Sequence, residues 1–246
     1  MKTYIPSRLL SLVAGAIALT CTPFSGSAQT LFNVDAGTGS SPTYTGAAVL
    51  GSSGDLWNGI TGPDWGDFIT AISDSTGSFA AGATIRVWNY AFKSDNSAGT
   101  TANPMGLMQD YITSPGWGAG DGWPIKVELA NLPVSTAFNL VVYSAGDAAG
   151  QGGTISLATD STFGTILASA TTTAASRDIS TGPGVAYQVF SGTTSASGTI
   201  DFQITTTTDN WHAFNGLQLQ VVPEPSTAAL GILGTALLGW YRRSRA

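Results

Sequence analysis

The chain has 246 residues, 43% of them hydrophobic and 10% charged, with a formal net charge of −6. The charge is unevenly spread: apart from Lys2, Arg8, Glu224, Arg242, Arg243 and Arg245, fourteen acids face Arg86, Lys93, Lys126 and Arg177, which leaves −10 on the intervening body. A body that acidic repels phosphate backbones at long range, so no nucleic acid is expected as a partner.

At the N-terminus, Lys2 and Arg8 precede the apolar run Leu9 to Leu19, and Gly26-Ser27-Ala28 supplies small residues for cleavage before Gln29. This order makes residues 1–28 a secretory signal peptide. Cys21, the one cysteine, leaves with it, and the Thr20 before it makes a poor lipoprotein acceptor. The exported portion therefore holds neither a disulfide nor a thiolate metal site. Its stability has to come from a hydrophobic core, and residues 29–221 are enough for one domain.

Short β-rich runs follow at Leu31 to Val34, Thr84 to Tyr90, Ile125 to Leu129, Phe138 to Tyr143, Thr154 to Leu157 and Val185 to Phe190. Ile200, Phe202 and Ile204 then alternate with polar residues, as do Leu217, Leu219 and Val221. Gly, Asp, Asn, Ser and Pro clusters separate the runs, and thirteen of the fourteen body acids are aspartate, a turn and cap residue. The pattern predicts an all-β body, an antiparallel β-sandwich of jelly-roll type. One short helix is expected where Asn103 caps and Pro104 opens a segment with Met105, Met108, Tyr111 and Ile112 on one face. A second is expected from Asp64 onward within Trp57 to Ile72.

Residues 222–246 differ in kind. Val222-Pro223-Glu224-Pro225 cannot continue a helix or a central strand, residues 227–241 carry no charge, and Arg242, Arg243 and Arg245 close the chain within a basic tail at 242–246. This is the charge order of a stop-transfer helix with its basic end in the cytoplasm. Fifteen helical residues span about 22 Å against a hydrocarbon core of about 30 Å, which suits temporary insertion better than permanent anchoring. Gly231, Thr235 and Gly239 would line one small-residue face suited to helix contact. The segment resembles the PEP-CTERM sorting signal of exported bacterial proteins. That resemblance implies an exosortase-type sorting enzyme as partner, an inner-membrane intermediate, processing near Pro223 to Pro225, and delivery to the cell surface, outer envelope or extracellular matrix. It also implies an association with exopolysaccharide.

The body carries resemblances of its own. Phe32 to Gly37, Tyr44 to Leu50 and Gly54 to Gly59 resemble the opening motif of sandwich domains in secreted bacterial proteins. Val127 to Pro133 with Phe138 to Ser144, and the closing Phe214 to Leu219, are similar to strands of galactose-binding-like or fibronectin-like sandwiches. Such sandwiches host many activities, so the resemblance implies a fold rather than a function.

Residues able to do chemistry are sparse. His212 is the only histidine and has no G-x-S-x-G elbow beside it, so a structural role is expected. No cofactor is implied; Asp35, Asp147 and Asp209 are candidate loop ligands for calcium, without a defined ligand set. Asp64 and Asp67 form a short-range carboxylate pair that helix capping explains more simply than glycoside hydrolysis. Gly116 to Gly122 lacks the spacing and context of a phosphate loop. Aromatic content stands out: Trp57, Trp65, Trp117 and Trp123 lie among glycines, prolines and aspartates, where indoles stack on sugars or plug the ends of a sandwich. The sequence thus predicts an exported, non-enzymatic surface or matrix protein. The alternatives are a carbohydrate-binding module or adhesin using those tryptophans, and then a glycosidase.

Overall fold

A computed structural model describes residues 29–37, 44–62, 66–78, 82–90, 92–95, 103–104, 106–115, 123–207 and 211–222. The strands are β1 (Thr30–Ala36), β2 (Asn58–Ile60), β3 (Gly66–Ala71), β4 (Thr84–Tyr90), β5 (Phe92–Asp95), β6 (Asp110–Pro115) and β7 (Ile125–Ala130). They continue as β8 (Ala137–Tyr143), β9 (Gly153–Ala158), β10 (Ile166–Thr172), β11 (Tyr187–Thr193), β12 (Ile200–Thr205), β13 (Trp211–Phe214) and β14 (Gly216–Val222). Gln29–Pro223 form one compact unit. The expected signal segment, the Pro-Glu-Pro motif, the 227–241 helix and the terminal arginines lie outside the described residues, as do Asp64, Trp65, Gly116 to Gly122 and Asp209. Among the described residues no helix is long and apolar enough to cross a membrane.

Three sheets result: a five-stranded one in the order β11-β8-β14-β1-β2, a six-stranded one in the order β10-β9-β12-β7-β4-β3, and a three-stranded β13-β6-β5. Neighbours pair antiparallel except β1 with β2. Alternation along the strands sends Phe32, Val34, Leu140, Val142, Leu217 and Leu219 from one sheet, and Ile85, Val87, Val127, Leu129, Phe202 and Ile204 from the other, into a single core. The all-β sandwich is therefore observed.

Two local expectations are corrected. The helix at Asn103 to Ile112 does not form. Met108 N donates to Pro104 O in one turn, Gly106 takes a positive φ of 81°, and the chain runs extended from Asp110 to pair with β5 and β13. Leu107, Met108, Tyr111 and Ile112 are all buried, because both sides of this stretch are covered; helical spacing had imitated one face. The expected helix from Asp64 gives way to β3, whose Phe68 packs against the core while the strand pairs with β4. Among the described residues the helical structure is a 3-10 turn at Ile179–Thr181, capped by Asp178 Oδ1 accepting from Ser180 N at 2.8 Å.

Part of the second face of the five-stranded sheet is covered too. Val141 and Tyr143 of β8 pack there with Trp57, Leu107, Met108, Ala145, Ala174, Ala186 and Tyr187. At the start of β14, Gly216 has φ of 154°, and an added Cβ would stand 2.2 Å from the Val34 carbonyl oxygen. That oxygen is part of the neighbouring strand and cannot yield without breaking register. Gly216→Ala is expected to cost about 2–4 kcal/mol in urea denaturation; an unchanged midpoint would contradict the close approach of β1 and β14.

Candidate functional site

The structure separates the candidate tryptophans. Trp57 is buried, its Nε1 donates to Gly46 O at 2.8 Å, and its ring meets Tyr44 edge-on at 5.1 Å and Tyr143 at 6.4 Å. It plugs the covered face of the five-stranded sheet and offers no ring face to a sugar, so its candidacy as a glycan contact is withdrawn. Trp65 and Trp117 are outside the described residues. Trp123, just before β7, is 61% exposed, and Trp211, the first residue of β13, is 42% exposed. Trp211 follows Asp209 and Asn210 but opens a four-residue strand that pairs with β6, and its exposure there is not marked in the sequence.

Trp211 stands at a cavity of about 280 Å³ lined also by Tyr111, Thr113, Asp147, Gln151 and His212. Pairing of β13 with β6 brings Tyr111, Thr113 and His212 together, and Thr113 Oγ1 donates to His212 O at 2.8 Å. The opposite wall is the loop after β8. Gly146 N donates to Gln151 O, and Gln151 Oε1 accepts from Ala148 N at 3.1 Å, which fixes the loop's shape. Arg177, largely buried, holds the Asp147 carboxylate at 3.3 Å. His212 is fully buried, and its Nε2 accepts from Ile125 N at 3.3 Å. Burial pushes its pKa down to about 4, partly offset by the Trp123 backbone, which lies near Nδ1 short of a well-formed hydrogen bond. The imidazole is thus neutral near pH 7. Indole, phenol, amide and carboxylate around one cavity can stack on a sugar ring and bind its hydroxyls.

Two further carboxyls are buried away from this cavity. Asp35 Oδ2 accepts from Tyr44 N at 2.7 Å while Oδ1 has no hydrogen bond. Burial is the main cause that raises its pKa to about 7, and the nearby Asp110 adds to it. Asp201 sits opposite Glu128 across β12 and β7, and burial followed by that acid raises it to about 6. Among the described residues no group of three or more His, Cys, Asp or Glu is arranged to hold a metal ion. Of the expected calcium candidates, Asp147 is engaged by Arg177 and Asp35 by Tyr44. Asp67, the described half of the expected glycosidase pair, is bound through both oxygens by Arg86, which holds its carboxyl below the usual range.

The tail carries its own pattern from the last residues of β14 onward. Residues 221–246 match the PEP-CTERM protein-sorting motif. The chain bears that sorting signal on its C-terminal tenth. No curated protein matches the chain. Among solved structures, the chain is similar to the K3 cleaved adhesin domain of Lys-gingipain from Porphyromonas gingivalis, with 14% identity over 46% of this chain and 72% of that one, at a TM-score of 0.30. It is also similar to the C-terminal CBM6 of LamC, a marine laminarinase from Zobellia galactanivorans, with 17% identity over 53% and 92% and a TM-score of 0.24. A third is an isomalto-dextranase from Arthrobacter globiformis T6 in complex with panose, at 13% identity over 62% and 22%, TM-score 0.30. Likeness at this level says nothing of this chain's ligand or activity.

The buried titratable groups set the pH response. Asp35 and Asp201 have folded pKa values above the ordinary 3.8, so their contribution to stability is full below that value and is lost as pH rises through about 7 and about 6. His212 acts oppositely: its contribution is present above 6.5 and lost as pH falls toward about 4. From about pH 8 to about pH 5.5, linkage gives a gain of about 2 kcal/mol from Asp35 and about 1 from Asp201, against a loss of about 1 from His212. The protein is expected to be more stable at the lower pH in chemical denaturation, and Asp35→Asn to abolish or reverse that gain. An Asp35→Asn protein with the same pH slope would show that Asp35 ionises as readily folded as unfolded.

Proposed function

We propose that this is an exported, non-enzymatic protein whose tail is processed by an exosortase-type enzyme at the membrane. Its body is then delivered to the cell surface or extracellular matrix, where it binds exopolysaccharide. The observation that carries the binding half of the reading is the exposed Trp211 at the cavity of Tyr111, Asp147 and Gln151, with Trp123 exposed just before β7 as a second indole. Support for a non-catalytic role comes from His212, buried and neutral, and from Asp67, committed to Arg86. Support for tail processing comes from the match at residues 221–246. A stand-alone carbohydrate-binding module or adhesin, the second reading, would use the same cavity.

Trp211→Ala and Trp123→Ala are each expected to weaken binding to the exopolysaccharide of the producing cell by about tenfold, the equivalent of about 1.4 kcal/mol of lost stacking. Affinity electrophoresis reads the loss and thermal denaturation verifies the fold; folded variants that bind like the parent would remove the cavity as the glycan site. For the tail, intact mass of the mature protein is expected to begin at Gln29 and to lack residues 227–246. A retained tail would contradict processing.

A further inference from the structure

The loop after β8 holds one charged side chain in a fixed place at the cavity. Gly146 N donates to Gln151 O at 2.9 Å, Gln151 N to Ala148 O at 3.1 Å and Gly150 N to Thr173 O at 2.8 Å, so residues 146–151 are tied to one another and to the chain just after β10. An added Cβ on Gly146 would stand 2.8 Å from Gln151 Cβ, so the turn is drawn tight at a glycine. Asp147 follows, and its Oδ1 accepts from Arg177 Nη1 at 3.3 Å. The Arg177 side chain is 7% exposed and that of Asp147 37%. What this ion pair presents to solvent is therefore its anion.

Among the described residues that line the cavity, Asp147 is the one charged side chain, since His212 is neutral. The remaining cations of the body are placed elsewhere. Arg86 is bound by Asp67, and Lys126 Nζ lies 4.7 Å over the Phe163 ring. Lys93 of β5 is in register with Ile112, whose side chain is in the core, whereas Tyr111 and Thr113 on either side of Ile112 line the cavity. In sequence, residues 116–122 before Trp123 and 208–210 before Trp211 bring Asp121 and Asp209 and no lysine or arginine. An anionic ligand entering here meets a carboxylate, in a body of −10.

The hydrogen-bonding groups agree with the charge. Gln151 Oε1 is occupied by Ala148 N, which leaves Nε2 as the part of the amide that donates, while Asp147 only accepts. Sugar hydroxyls donate to the one and accept from the other. A uronate or a sulfate ester offers acceptors alone and would set two anions face to face. We propose that Asp147, positioned by Arg177, makes this cavity selective for uncharged polysaccharide and closes it to chains bearing uronate or sulfate groups. This selectivity rests on the reading that the cavity binds glycan, and it adds the class of glycan and the residue that decides it. Asp147→Asn keeps the size of the side chain, removes the anion and leaves the Arg177 guanidinium without its counter-charge, so the variant should admit the anionic chain.

The test uses the full chain and one polymer in two charge states: the exopolysaccharide of the producing cell, freed of sulfate esters and with its carboxyl groups reduced to primary alcohols, and the same preparation with its primary alcohols oxidised to carboxylates. Binding is read by isothermal titration calorimetry, and thermal denaturation verifies the fold of the variant. In low salt the parent is expected to bind the oxidised polymer about fivefold more weakly than the reduced one or worse, with the gap narrowing as salt is added. Asp147→Asn is expected to bring the two within about twofold. Equal or tighter binding of the oxidised polymer by the parent overturns the selectivity and leaves the glycan reading standing. Binding of neither polymer removes the glycan reading and the selectivity with it. A gap that persists undiminished in folded Asp147→Asn overturns Asp147 as the selecting group.

Discussion

Part of the second face of the five-stranded sheet is buried, and one amide makes that tolerable. Gln218 is fully buried; its Oε1 accepts from Leu50 N at 2.8 Å and Tyr143 OH at 2.6 Å, and its Nε2 donates to Asn33 Oδ1 and Leu50 O, both at 2.9 Å. Asn33 in turn donates to Leu56 O, and Asn58 donates to Asn33 O and Ser73 O. Every polar group of Gln218 is satisfied, which is the condition for burying it without penalty. Through these bonds the segment from Tyr44 to Trp57 becomes a lid on the sheet, and the aromatic stack of Tyr44, Trp57, Tyr143 and Tyr187 is closed beneath it. In a body without disulfides, this network ties irregular chain to regular strand.

Strands that bury one face and show the other were legible. β4, β7, β12 and β14 stand where period-two alternation puts them, because burial of alternate residues leaves that mark on composition. β10 left none: Ile166, Leu167, Ala168 and Ser169 are all exposed on an edge strand, so no face selects apolar residues. β6 misled for the opposite reason. Its residues are buried on both sides, and a doubly buried strand cannot be told from a helix by spacing alone. The covering of Gln218 was invisible as well, since alternating Gln and Leu read the same whether the polar face meets water or a lid.

At the candidate site the sequence points to a residue type more than to its places. An excess of tryptophan in an acidic body suggested stacking on sugars, but exposure is a tertiary property. Trp57, set among turn residues, is enclosed by the lid, while Trp211, set in a strand, stands at the cavity because β13 is short and its sheet has only three strands. Asp147 and Gln151 join it through the loop after β8, a meeting of segments some sixty residues apart that no local pattern announces. The histidine, lacking any local partner, reads as structural in the sequence, and in the fold it is buried with Nε2 accepting from Ile125 N.

β14 is the last strand of the body yet lies in the middle of its sheet, between β1 and β8. Until residue 222 has been delivered, those two strands have no common partner, and the amide at 218 that organises the lid is missing as well. Such sequence-distant pairing makes folding slow, and a chain interrupted before this point exposes two unpaired hydrophobic edges. Assembly is therefore a terminal event: the body can close only when the sequence leading into the sorting motif has emerged, so that maturation of the fold and presentation of the tail fall at the same moment in the chain's history.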